Sequence, residues 1–152
     1  MLVRILIADD SAKVRQLLKA LLETHIGWQV CGEAANGMEA VERAADLKPD
    51  VIVLDLSMPG MDGLRAASQI AAVSPRPPIL IFTQHAVPPE AKLEAKKQGV
   101  TEVINKESPE QLISAIDAAT QKASARVPDK PPSLMTDSAL PAADIEADSK
   151  EN

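Results

Sequence analysis

Two apolar runs in this chain of 152 residues end in carboxylates: Leu2 to Ala8 leads into Asp9-Asp10, and Val51 to Leu54 leads into Asp55. Runs so short and apolar read as strands buried on both faces, the kind that parallel sheets contain. Parallel neighbours end on the same side, so the three acids converge. That place is the crevice outside the carboxyl ends of the strands, where open α/β sheets form their ligand sites. Two unit charges about 4 Å apart repel by about 4 kcal/mol at an effective dielectric near 20. Three carboxylates so placed protonate, splay apart or hold a cation. Oxygen-only ligands on a small open site suit Mg²⁺ first, and Mn²⁺ or Ca²⁺ less well.

The rest of the chain repeats the alternation. Strands are expected at Leu2–Ala8, Gln29–Glu33, Val51–Leu54, Ile79–Phe82 and Val100–Ile104. Between the first two, Val14, Leu17, Leu18, Leu21 and Leu22 follow the spacing of a helix with one buried face. Asn36 with Glu39 three residues on opens a second helix that runs to about Leu47, with Pro49 helping to end it. Asp62 caps a third, from Gly63 to about Val73. The fourth, Pro89 to about Gln98, has Leu93 as its only large apolar residue, so it buries little. Ser108-Pro109-Glu110-Gln111 opens the last, whose buried face is Leu112, Ile113 and Ile116. Five βα units in a row imply an α/β fold, a parallel sheet with helices on both faces.

Composition narrows the function. Trp28 and Phe82 are the only aromatic residues apart from the histidines, which leaves an aliphatic core and removes the stacking platforms of single-strand nucleic-acid binders. A net charge of −6 argues against direct DNA binding and against an anionic membrane surface. The single cysteine, Cys31, forms no internal disulfide and reads as a buried structural thiol. With no signal pattern and no long apolar run, a cytoplasmic location is expected. From Arg126 to Asn152 four prolines and a net charge of −3 replace apolar periodicity, so a disordered tail (126–152) is expected after a domain of residues 1–125. Ser133-Leu134-Met135 reads as part of that solvated tail rather than as a docking motif.

Two more strand ends complete a set: Thr83 closes the fourth strand and Lys106 follows the fifth. Taken singly, the first is an ordinary strand-end residue and the second a surface lysine. Together with the acids they supply a nucleophilic carboxylate, a cation site, a hydroxyl and an ammonium, the groups that phosphoryl transfer to a carboxylate requires.

In Ile5-Leu6-Ile7-Ala8-Asp9-Asp10-Ser11, Val53-Leu54-Asp55-Leu56-Ser57-Met58-Pro59-Gly60-Met61-Asp62-Gly63, Phe82-Thr83 and Lys106, the chain resembles the receiver domain of two-component response regulators. The resemblance covers residues 1 to about 123. It implies a flavodoxin-like (βα)5 sheet of strand order 2-1-3-4-5. Asp55 would accept a phosphoryl group from a phosphohistidine on a sensor histidine kinase or phosphotransfer protein. Asp10, Asp55 and the Ser57 carbonyl would bind Mg²⁺ directly, and Asp9 largely through water. Lys106 would pair with Asp55 at rest, and Thr83 would report phosphorylation to the face made by the fourth helix, fifth strand and fifth helix. There a downstream protein would bind a monomer or weak dimer. Pro59, Gly60 and Gly63 would shape the loop after Asp55. Such a module assists its own phosphorylation but is not an enzyme; a phosphohydrolase of the Asp-x-Asp type is disfavoured because Asp9-Asp10-Ser11 stands there.

The wording around Asp55 and Lys106-Glu107 is most like receivers that carry a helix-turn-helix output domain. The segment after Arg126 is too short and proline-rich for one, which implies a stand-alone receiver or one cut from a longer chain. Three positions depart from the family pattern: Val103 where an aromatic is usual, Gln84 where a small residue is usual, and Glu107 in place of proline. Val103 and Gln84 motivate an alternative, a receiver-like binding module whose partner ignores phosphate.

Overall fold

The computed structural model of the chain describes residues 2–72 and 77–126, with side chains to residue 121. Ten elements alternate without exception: β1 Val3–Ala8, α1 Ala12–Leu22, β2 Trp28–Ala34, α2 Gly37–Leu47, β3 Val51–Leu54, α3 Gly63–Ala71, β4 Ile79–Thr83, α4 Pro89–Lys97, β5 Glu102–Asn105 and α5 Pro109–Arg126. Residues through Thr120 form one unit; of the second, from Gln121, the described part is the end of α5. Val73 and the segment from Val127 onward, with Ser133-Leu134-Met135, lie outside the described residues.

The five strands form one parallel sheet in the order β2-β1-β3-β4-β5. Alternate residues point to opposite faces, and each face is covered. On one side Leu6, Ile52, Leu54, Ile79 and Ile81 pack with Ala40 of α2, Ala66, Ala67 and Ile70 of α3 and Ala95 of α4. On the other Ile5, Ile7, Val51, Val53, Leu80 and Phe82 meet Leu18 and Leu22 of α1 and Leu112 and Ile116 of α5. With small residues on α2, α3 and α4, those helices settle close to the sheet, and an aliphatic core suffices. No described helix is long and apolar enough to cross a membrane.

Side chains cap the starts of α1, α2 and α3. Ser11 accepts from the Val14 amide at 3.2 Å, Asn36 from Glu39 at 2.8 Å, and Asp62 from Arg65 at 2.8 Å. Glu39 reaches back to the Ala35 amide at 2.8 Å, one residue before the cap.

Three expectations need correction. Leu17 is 62% exposed, not part of the buried face. At about 100° per residue it lies roughly 120° around α1 from the midpoint of Leu18 and Leu22, which define that face. Cys31 is half-buried rather than buried, because the register of β1 on β2 slips at this point: Ile5 pairs Val30 and Leu6 pairs Gly32. Third, β5 begins at Glu102, not Val100. Val100 belongs to the end of α4: its amide bonds the Ala95 carbonyl at 3.0 Å, the Gly99 amide bonds Lys96 at 3.1 Å, and Gly99 has φ +103°. This is a Schellman cap, and Val100 is its apolar residue turned into the core. The apolar side chain at position 100 thus serves a helix end and not a strand.

Candidate functional site

The sheet ladders run one residue past the strands and so carry the acids into register. The Asp9 amide bonds the Ala34 carbonyl at 3.0 Å, the Asp55 amide bonds Ala8 at 2.8 Å, and the Lys106 amide bonds Thr83 at 2.8 Å. Ala8 faces Leu54 across the β1–β3 pair, so Asp9 and Asp55 emerge side by side. Asp9, Asp10 and Asp55 each offer a carboxylate oxygen within 4.8 Å of the others. Asp9 and Asp55 are buried and Asp10 is exposed.

The chain resolves part of its own electrostatic problem. Lys106 Nζ lies 2.8 Å from Asp9 Oδ2 and 3.4 Å from Asp55 Oδ1. The resting ammonium thus spans both acids, with the shorter contact to Asp9 rather than to Asp55. Burial alone would lower its pKa; the hydrogen bond to Asp9 and the two negative charges outweigh that and raise it. Asp55 is raised above the usual carboxylate value, first by burial and then by the charge of Asp9. Lys106 and the Ser57 amide pull the other way without prevailing. Asp10 escapes by turning to solvent.

Asp9 has both carboxylate oxygens engaged: Oδ1 accepts from the Ser11 amide at 2.9 Å and Oδ2 from Lys106. Ser11, not an acid, caps α1, so helix capping does not explain Asp9 and Asp10. Asp10 lines an open cleft of about 520 Å³ with Leu56, Ser57, Met58, Pro59 and Asp62. Behind the cleft α3 starts against the end of β3: the Gly63 amide bonds the Leu56 carbonyl at 2.9 Å, and a Cβ on Gly63 would collide with the Asp55 carbonyl.

Thr83 is buried at the end of β4, and its hydroxyl accepts from the His85 amide at 3.2 Å. It is joined to Lys106 through the backbone bond above. Gln84 and His85 are exposed, and Val103 is half-buried against the α2–α3 side of the core. Sequence reading passed over Arg15, whose Nη1 donates to the Asp9 carbonyl at 2.6 Å and whose Nε pairs with Glu33 at 2.9 Å. An acid at the end of one strand and a base one turn into the neighbouring helix were its only trace.

A doubly wound parallel sheet with buried acids, a lysine and a hydroxyl at the carboxyl ends of its strands defines a class of α/β modules whose site lies at that edge. Residues 5–117 match the family described as response regulator receiver domain, and the chain belongs to that family. It is 37% identical over 120 residues to the chemotaxis protein CheY of Thermotoga maritima, covering 78% of this chain and 98% of that one. It is 49% identical over 83 residues to a protein-glutamate methylesterase/protein-glutamine glutaminase of Alkalilimnicola ehrlichii, covering 55% of this chain but 21% of that protein. The chain thus spans only about a fifth of that relative's length. Among solved structures it is similar to the response regulator domain of Thermotoga maritima CheB, with TM-score 0.73, 29% identity and coverage of 80% and 98%. A LuxR-family two-component response regulator from Aurantimonas gives TM-score 0.75, 33% identity and coverage of 80% and 87%.

Proposed function

We propose that this receiver is a phosphoacceptor in which Asp55 takes a phosphoryl group from a phosphohistidine, switching partner binding on the face of α4, β5 and α5. The observation that carries this reading is Asp55 itself: buried, raised in pKa, beside the Lys106 ammonium and next to a solvent-open acid. A more basic carboxylate is a better nucleophile toward phosphorus. In the transfer an Asp55 oxygen bonds to phosphorus while the phosphorus–nitrogen bond breaks, leaving an acyl phosphate and a neutral imidazole once the ring is protonated.

The donor set fits a hard divalent cation: three carboxylates, joined by no cysteine or histidine among the described residues, and one open side. Asp10 and Asp55, with the Ser57 carbonyl, would hold Mg²⁺, whose charge offsets that of the phosphoryl oxygens. Asp9 fits an outer role because both its oxygens already have partners. Lys106 would move its ammonium from Asp9 and Asp55 toward the phosphoryl group. A hydroxyl has one donor and two acceptor sites, so Thr83 accepts from His85 and still has a proton to give a phosphoryl oxygen.

Intact-mass measurement after exposure to phosphoramidate and Mg²⁺ should show one added phosphoryl group per chain, absent without Mg²⁺ and absent in Asp55→Asn. An adduct that persists in Asp55→Asn overturns the assignment. A sensor kinase or phosphotransfer protein is the proposed donor, and a downstream protein the proposed target. Val103 supports the second reading, a module whose partner ignores phosphate, because an aliphatic side chain already packed on the core has little to relay. Equal partner binding by free and beryllofluoride-treated protein would favour it.

A further inference from the structure

The peptide between the two leading acids is held by a side chain to which the proposed chemistry gives no part. Arg15 donates from Nη1 to the Asp9 carbonyl at 2.6 Å and from Nε to Glu33 Oε1 at 2.9 Å. Its side chain is 18% exposed. Two bonds from one planar, rigid guanidinium fix its orientation, and Glu33 is anchored in β2 opposite Ile7 of β1. Counting these, every polar atom of Asp9 is engaged: its amide by Ala34, its carbonyl by Arg15, and its carboxylate by Ser11 and Lys106. Asp10 has no such framework; it lies between β1 and α1 with its side chain exposed. The Asp9 carbonyl and the Asp10 amide belong to one planar group. Fixing the carbonyl therefore fixes the direction in which Asp10 leaves the strand toward the cleft.

We infer that Arg15, held by Glu33, is a positioning residue for the cation site: it orients Asp10 through the Asp9-Asp10 peptide. The inference rests on the cation assignment proposed above. Electrostatics and orientation here have opposite signs, which makes the role separable. A guanidinium beside a cation site repels the cation, so if charge were its only contribution, removing it would tighten Mg²⁺ binding. If it orients a ligand, removing it weakens binding. Outer-shell partners of metal ligands typically matter by 10–100-fold in affinity. Acting through backbone rather than on the ligand atom, Arg15 belongs at or below the low end, about 5–10-fold.

The test is a Mg²⁺ titration of the full chain followed by backbone amide shifts. The wild type should saturate. Arg15→Met should raise the Mg²⁺ dissociation constant about 5–10-fold and Arg15→Lys should raise it less, with core amide shifts unchanged. Added to Asp10→Asn, Arg15→Met should weaken binding no further, since the ligand it orients is gone and only the repulsion is relieved. Unchanged or tighter binding in Arg15→Met, or an equal loss in the Asp10→Asn background, overturns the inference. If Arg15→Met does not fold, Arg15→Lys decides alone, and an unchanged dissociation constant in it overturns the inference. A wild type without a saturable response overturns the cation assignment and this inference with it; saturation with unaltered variants overturns only the role of Arg15.

Discussion

Asp55 and Lys106 pull stability in opposite directions, and pH separates them. The folded pKa of Asp55 is raised, so between the unfolded value of about 3.9 and that higher value the folded state binds more protons. Stability then falls as pH rises through that window, and Asp55 is a net cost at neutral pH. Asp55→Asn should therefore raise the melting temperature by a few degrees at pH 7. The gain should fade as pH falls through the carboxylate range; a melting temperature lowered at pH 7 would contradict this. Lys106 has a raised pKa too, which for a base is stabilising: its contribution is complete below about 10.4 and is lost as pH rises through the higher folded value. Lys106→Met leaves Asp9 buried without its cation and should cost about 2–3 kcal/mol in urea unfolding at pH 7. Additional Asp9→Asn should recover part of that loss. The types of these residues and their places at strand ends were legible in the sequence. That Lys106 sits closer to Asp9 than to Asp55 was not, because the difference between 2.8 and 3.4 Å is set by how three strands pack.

Among the elements, the junction of β3 and α3 is the most constrained. The start of α3 lies directly on the backbone of Asp55 and Leu56, and there is no room for a side chain on Gly63. Gly63→Ala should destabilise the domain by about 2–4 kcal/mol, because backbone rather than a side-chain tip must move. It should also impair phosphorylation beyond what the residual folded fraction explains; a well-folded, fully phosphorylated variant would show that the junction has slack. Gly37 makes the same close approach to the Met61 carbonyl, so α2 and the β3–α3 loop are fitted to each other. In contrast, α4 buries only Ala95 and leaves Leu93 58% exposed. Its sequence announced that weakness through its density of charged residues. Helix starts were legible because a cap acts within three residues of itself. The end of α4 is not legible for a related reason: Val100 is apolar in a strand as in a Schellman cap, and only the hydrogen bond to Ala95 distinguishes them.

At the scale of the molecule, ligand binding and folding are linked. A cation that binds the folded acid cluster and not the unfolded chain stabilises by RT ln(1 + [L]/Kd), about 1.4 kcal/mol at ten times Kd. Mg²⁺ at that level should raise the melting temperature by about 3–6 °C, and EDTA should reverse it. Asp10→Asn should abolish most of the rise; an equal rise in that variant would move the cation elsewhere. Five apolar runs, alternating with helix-period segments, by themselves determined a parallel sheet covered on both faces. The acids, hydroxyl and lysine at the ends of those runs determined that these groups would gather at one edge. Both follow from rules of short range: burial of a strand, reach of a cap, length of a crossover. The tertiary structure alone decided which oxygen of which acid meets the ammonium, that Asp10 faces water while Asp9 does not, and that Arg15 grips the carbonyl between them. Those outcomes depend on register and helix packing between residues up to 97 positions apart, which no local pattern encodes.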